Sequence, residues 1–433
     1  MLLMLNSYHQ NTKHSYNSIR TNPNRVDWNN PPNKFKFYSK DYKRISLNSQ
    51  NENYNFLYLI SGISAKKSYP SGEYYLRINP SAGALYPNEV YFQARNVAGF
   101  EDGIYHIEVG TSSVVLLKKL EKNEGIEEIL GLKYSVDGFI FFISSLYFRS
   151  SWKYKNRAFR YCLLDAGHLI GSMEASTYLY DKSFEILYDF PKKKLNQFFC
   201  FDEKEFFTSI VIVGDKKDSK KESFSFDIPT IDGSSYVDEN ITFFEKNEMV
   251  ENAYEDILNI IDKKAQENSA IFNFQKQRFQ DTIFKRRSIR EFTRQSISKI
   301  QFESIMGVVN QAIKSDCDEQ VDIFYTINRV EGEVIGLYKN GKLIKNGDFC
   351  QKSGYLCLEQ DLGKSSAVTF FLATKSKNYQ EAYQKAGIIG HRLYLASNYL
   401  DIGCSGIGAY YDDEVCEFIE ENSMILYALA IGN

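Results

Sequence analysis

Val97-Ala98-Gly99-Phe100-Glu101-Asp102-Gly103-Ile104-Tyr105 and Val330-Glu331-Gly332-Glu333-Val334-Ile335-Gly336-Leu337-Tyr338 are one pattern written twice, slightly more than half the chain apart. Each copy follows an alternating apolar stretch, residues 89–94 and 322–327, and its glycine-containing turn leads into a second such stretch. That reads as a β-hairpin. Three more pairs follow in the same order. Gly138-Phe139-Ile140-Phe141-Phe142-Ile143 parallels Ala367-Val368-Thr369-Phe370-Phe371-Leu372, both buried strands by their unbroken apolar character. Ala166-Gly167-His168-Leu169-Ile170-Gly171 parallels Ala386-Gly387-Ile388-Ile389-Gly390-His391, where Ala386, Ile389, Leu393, Ala396 and Leu400 keep helical spacing. Ser209-Ile210-Val211-Ile212-Val213-Gly214 parallels Tyr427-Ala428-Leu429-Ala430-Ile431-Gly432. Internal repetition of this kind predicts a fused pair of related α+β domains, residues 1–245 and 246–433.

Working outward, 433 residues suffice for two to three domains at about 150 each. With 52 basic and 55 acidic side chains and a net charge of −3, the chain lacks the basic excess of a nucleic-acid binder. Its longest apolar run, residues 138–148, is shorter than the roughly 20 residues a membrane helix needs. The opening Met1-Leu2-Leu3-Met4-Leu5 lacks the basic start and cleavage site of a signal peptide, so a soluble cytoplasmic protein is expected. Seven cysteines without a C-x-x-C pair argue against a disulfide framework and a zinc site, and no metal is expected. Residues 215–248 have linker composition, with Phe224, Phe226 and Ile228 placing the segment against the body. A helix is expected from residue 254 to about 265, and another from Ser298, where Ser298 and Gln301 form a capping-box pattern. Phe302, Ile305, Met306, Val309 and Ile313 give the second an apolar stripe.

Three segments carry candidate chemistry. In Arg286-Arg287-Ser288-Ile289-Arg290, an extended backbone would turn residues 286, 288 and 290 to one side. Two guanidiniums flanking a hydroxyl suit a phosphate; a solvated basic stretch is the competing reading. Pro80-Ser81-Ala82-Gly83-Ala84-Leu85-Tyr86-Pro87 is a rigid small-residue loop, in which Gly83 permits close approach to a flat ligand. A plain structural turn accounts for it equally. Gly403-Cys404-Ser405-Gly406-Ile407-Gly408-Ala409 is a second glycine-rich loop, readable also as a tight helix exit.

Together with Trp152-Lys153-Tyr154, Arg157-Ala158-Phe159-Arg160-Tyr161 and Asp165-Ala166-Gly167-His168, these segments resemble the nitroreductase-like flavoprotein superfamily. More narrowly they are similar to its SagB-type group, the thiazole/oxazole peptide dehydrogenases and cyanobactin oxidases. The resemblance runs from about residue 8 to the C-terminus. It implies two nitroreductase-like α/β/α domains forming an intramolecular pseudo-dimer, with FMN bound non-covalently. Arg286, Ser288 and Arg290, with Arg287 beside them, would hold the FMN phosphate. Gly406, Ile407, Gly408 and Ala409 would line the ring, and Pro80, Ser81, Ala82 and Gly83 would reach it from the other half. Lys153 and Tyr154 stand at the family's acid/base pair, and a lysine in apolar surroundings can lose its proton readily enough to accept one. Asp165 and His168, one helical turn apart, are expected to serve structure.

The departures from the pattern are complementary. The first half has no Arg-x-Ser-x-Arg, and bulky Phe184-Glu185-Ile186-Leu187-Tyr188 stands where glycines are needed. The second half has residues 314–320 in place of the Pro-Ser-Ala-Gly loop. One FMN per chain is therefore expected. The resemblance implies hydride moving between a substrate and flavin N5 while Lys153, helped by Tyr154, handles a proton. The substrate would be a small molecule or a modified peptide, as in azoline-to-azole oxidation, with biosynthetic partner proteins. An NAD(P)H-dependent nitro or quinone reductase is the near alternative, and a non-catalytic flavin-binding scaffold the distant one. The segment 339–364 reads either as a lid or as a surface insertion.

Overall fold

Strands that are apolar on both faces need cover on both, and here each long apolar run becomes the middle of a sheet. The computed structural model describes every residue except 1, 23–25, 49–50, 70–71, 122–123, 202–203, 219–230, 232–244 and 262. The strands in chain order are β1 (Arg44–Ser46), β2 (Ile63–Tyr69), β3 (Gly72–Arg77), β4 (Asn88–Arg95), β5 (Gly103–Glu108), β6 (Ser113–Lys119), β7 (Tyr134–Leu146), β8 (Glu185–Leu187) and β9 (Glu205–Asp218). They continue as β10 (Asp322–Ile327), β11 (Gly336–Lys339), β12 (Lys342–Asn346), β13 (Val368–Thr374), β14 (Gly403–Ile407) and β15 (Met424–Gly432).

The first sheet runs β1-β6-β5-β4-β7-β9-β8 and the second β12-β11-β10-β13-β15-β14, while β2 and β3 form a separate hairpin. Without β1, the two sheets correspond strand for strand, and every ladder is antiparallel. Both repeated hairpins are present, as β4 with β5 and β10 with β11. The repeated Ala-Gly segments lie on the long buried helices Ala158–Leu179 and Tyr379–Tyr399. Helix Glu52–Ser61 packs on the first, and Lys276–Lys285 and Lys299–Val309 pack on the second.

The alternation in β4 does not mark an exposed face, because all eight residues are buried. Its charged positions are paired internally: Glu89 accepts from Arg149, and Arg95 pairs with Glu127. Pairing makes such burial tolerable. Around these strands, Tyr91, Phe142, Phe199 and Phe207 join one core, and Phe324, Leu337, Phe371 and Ala428 another.

The chain forms two compact units, and they do not divide at residue 245. One comprises 27–269 with 313–318, the other 1–26, 270–312 and 319–433. Local bonds explain the exchanged ends. The His14 N–H donates to Asp412 at 2.8 Å and Arg20 pairs with Glu359 at 2.9 Å, while Ser315 bridges to both Ile186 and Gln266. The expected helix at 254–265 is Glu248–Asp256 instead, capped by the Asn247 side chain on Val250 N–H. An Asn cap satisfies a free helix-end donor and so sets the start. The Ser298–Gln301 capping box is present, but its helix ends at Val309, before Ile313. Segment 339–364 contributes β12 and two short helices, and its Leu356, Cys357 and Leu362 belong to the second core. It is part of the domain body. Phe224, Phe226 and Ile228 lie outside the described residues. No helix among the described residues is long and apolar enough to cross a membrane.

Candidate active site

In the N-terminal unit, the loop between β3 and β4 takes an unusual backbone path. Gly83, Ala84 and Tyr86 all have positive φ, at 64°, 52° and 50°. Such angles cost L-residues energy and persist only where surroundings enforce them. Asp165, on the long helix, does the enforcing: it accepts from Ser81 Oγ at 2.5 Å and from Ala82 N–H at 3.1 Å. Ser81 Oγ in turn accepts from Tyr86 N–H at 2.8 Å. Burial pushes the Asp165 carboxyl up to about 7, and the Ser81 and Ala82 donors pull against that shift.

The helix Phe148–Tyr154 brings Lys153 and Tyr154 against the same loop. A Cβ on Gly83 would stand 2.8 Å from Tyr154 Oη and 3.2 Å from Lys153 Nζ. Glycine is needed there for space as well as for φ. Lys153 is half-buried, and desolvation lowers its pKa. Tyr154 stacks obliquely on Tyr161 at 4.2 Å between centroids, and burial raises its pKa, so the phenol stays protonated. A lysine eased toward neutrality beside a protonated phenol can accept a proton and have it held.

Beside this pair lies a cavity of about 750 Å³, lined by Trp28, Lys34, Tyr74, Gly83, Trp152 and Lys153 among others. That is within the usual range of roughly 300–1,000 Å³ for small-molecule sites. Its wall at residues 28–35 was not legible as functional: an Asn- and Pro-rich stretch has no periodicity to read.

In the C-terminal unit, the helix Lys276–Lys285 ends at Arg286, where the backbone turns extended. Ser288 forms a parallel bridge to Cys404, and Ile289 N–H donates to Cys404 O at 3.2 Å. Ile289 packs toward the core, whereas Arg286 and Ser288 both meet Tyr394. The Arg286 guanidinium lies 5.3 Å from the Tyr394 ring centroid, and Ser288 Oγ is 2.7 Å from its hydroxyl. Arg287 turns away to donate to Phe284 O at 3.0 Å, and Arg290 is exposed.

The expected glycine-rich loop is an edge strand through Ile407, with only Gly408 and Ala409 beyond it. Antiparallel pairing with β15 holds it: a Cβ on Gly403 would meet Ile289 Cδ1 at 2.3 Å, and one on Gly406 would meet Tyr427 Oη at 1.9 Å. The glycines thus serve close packing in a strand. Gly406 N–H donates to Tyr394 Oη at 2.6 Å, which ties the strand to the arginine segment. Tyr394 is the organising residue that sequence reading missed. One tyrosine among 31, off the apolar stripe of its helix, gives no signal.

Residues 283–433 match the nitroreductase family. The matched segment therefore contains Arg286, Ser288, Tyr394 and the β14 strand. A protein of Methanocaldococcus jannaschii named "Putative nitroreductase MJ1384" is 33% identical over 94 residues, or 21% of this chain and 46% of that protein. The chain thus aligns with about half the length of this relative. Over 99% of both chains, the fold is similar, at TM-score 0.81 and 21% identity, to the crystal structure of a "putative nitroreductase" from Anabaena variabilis ATCC 29413. At that identity the likeness speaks for the fold alone.

Proposed function

We propose that this chain is an FMN-dependent oxidoreductase. The observation that carries the reading is the convergence of Arg286, Ser288 and Gly406 on Tyr394 within the nitroreductase segment. The donor set fits the phosphate end of FMN: a guanidinium and a hydroxyl lie on one side of an extended segment, and exposed Arg290 can approach from solvent. The Ser288 and Tyr394 hydroxyls share one hydrogen bond at 2.7 Å, which holds the serine beside Arg286. Close by, the buried Ser405 hydroxyl has no hydrogen-bond partner among the described residues. Gly406, Ile407, Gly408 and Ala409 would follow the flavin ring.

FMN, when bound, supplies two-electron redox chemistry. Lys153 Nζ accepts the proton that leaves the substrate on oxidation, and Tyr154 Oη orients it. Pro80, Ser81, Ala82 and Gly83 shape the approach, with Asp165 holding the loop. Following the sequence resemblance, the chain takes one FMN, and the reaction is a SagB-type dehydrogenation, azoline to azole in a modified peptide. The nitroreductase match favours a second reading, reduction of a nitro or quinone compound at the expense of NAD(P)H. Anaerobic mixing of the FMN-loaded protein with NADPH or NADH separates the two. Bleaching of the flavin within a turnover time selects the reductase. A flavin that stays oxidised with both, yet bleaches with a thiazoline-containing peptide, selects the dehydrogenase. No bleaching under either condition sinks both.

A further inference from the structure

The cavity beside Lys153 carries a second lysine that the proposed chemistry does not use. Lys34 is half-buried, with Nζ 3.7 Å from the centroid of the Tyr74 ring. The charged groups acting on it are Lys153 and Arg77, both cations, and with burial they lower its pKa. Among the described residues, neither Lys34 nor Lys153 is paired with a carboxylate. The acid at the cavity rim, Glu73, is already engaged by Lys66 and Tyr75. Arg77 donates to the backbone carbonyl of Lys34, which fixes the segment in place. Half-buried like charges gathered at one cavity are unfavourable until an anion joins them.

The other walls combine the side chains of Asn29, Asn30 and Asn33 with flat aromatic surfaces. Trp28 is 69% exposed, although it meets Trp152 edge-on at 5.4 Å. Trp152 is fixed from behind, its Nε1 donating to Asp27 O at 3.0 Å. An exposed indole on a cavity wall offers a stacking surface that nothing within the fold requires.

We infer that this cavity takes a small planar ligand bearing one anionic group, with the Lys34 ammonium holding the anion and the ring lying along Trp28, Trp152 and Tyr74. Lys153 is then left for the proton. This names a substrate class for the proposed oxidoreductase under its second reading, reduction of a nitro or quinone compound, and it rests on that reading in taking the cavity as the substrate's.

The chain's two tryptophans both line the cavity, so intrinsic indole fluorescence reports its occupancy. Benzoate and its neutral counterpart benzamide are titrated into the purified full chain, with the flavin content of each sample measured alongside. Benzoate is expected to bind at least tenfold more tightly than benzamide. Lys34→Met should erase that preference and Lys34→Arg should keep it. Equal affinities, no saturable change with either compound, or a preference that survives in Lys34→Met would each overturn the inference. A benzoate preference without retained flavin leaves the anion site standing and removes the redox reading. Retained flavin without the preference does the reverse.

Discussion

The edge strands β8 and β14 occupy the same place in two sheets of the same order, and each is covered by a parallel bridge from a separate segment. Over β8 the covering segment is Lys314-Ser315-Asp316. Ile186 N–H donates to Lys314 O at 3.1 Å, and the Asp316 carboxylate takes the Tyr188 and Asp189 N–H groups at 2.8 and 3.1 Å. That edge is closed by its own acid. Over β14 the covering segment is the arginine stretch, with Ser288 against Cys404 and Arg286 beside Tyr394. Here cationic and hydroxyl donors collect, and glycines replace the bulky side chains of β8. One scaffold thus ends in an edge that carries its own carboxylate in one unit and in an edge that gathers a guanidinium and hydroxyls in the other. The difference rests on a handful of residues, which shows why fold alone does not identify a site.

The largest expected effect tests the N-terminal contribution. Lys153→Ala should lower turnover by about 10²-fold or more, the usual worth of a positioned proton acceptor, while FMN content stays unchanged. Steady-state rates and released flavin, measured on one preparation, check both halves of that statement. Next, Arg286→Ala should weaken FMN binding by at least about 1.5 kcal/mol, one charge-assisted hydrogen bond, read by flavin titration. Asp316→Asn at the corresponding edge should leave FMN affinity alone and lower only thermal stability. Equal losses of flavin in both variants would erase the distinction between the edges.

Smaller effects follow from packing and from pH. Gly406→Ala sets a Cβ against Tyr427 Oη and should cost about 1–3 kcal/mol by overpacking, visible in denaturant unfolding. It should also loosen FMN, because the Gly406 bond to Tyr394 shifts. The Asp165 carboxyl titrates near 7 in the folded chain, above its ordinary value of 3.8. The folded state therefore holds this proton more tightly than the unfolded one. Its contribution favours folding below the ordinary value and declines as pH rises from about 4 to about 7. Asp165→Asn, which keeps an acceptor for Ser81, should flatten that part of the stability-versus-pH curve. A curve of unchanged slope would mean that the carboxyl is already ionised when folded.

Much of the fold was legible because repetition is insensitive to local ambiguity. Four matched segments in one order predict the paired hairpins, the central strands and the two long helices, whatever the odds for any single stretch. Boundaries were less legible. The helix at Glu248–Asp256 begins where Asn247 supplies a cap, earlier than the expected start at residue 254. The Gly403 stretch reads as a loop from its glycines, yet long-range pairing with β15 makes it a strand. Among the candidate residues of the two units, Arg286, Ser288, Lys153 and the Gly83 loop stood out through residue type and spacing. Tyr394, Lys34 and Asp165 as the loop's anchor did not, since each matters through contacts with residues distant in the chain.

The central claim is that of two similar units only one offers an FMN phosphate site. Flavin stoichiometry tests it most directly: the purified chain is saturated with FMN, excess is removed, and the cofactor released on denaturation is identified chromatographically and counted per chain. The account predicts one FMN. Two per chain would show that the β8 edge binds as well as the β14 edge, and none would contradict the flavin site altogether.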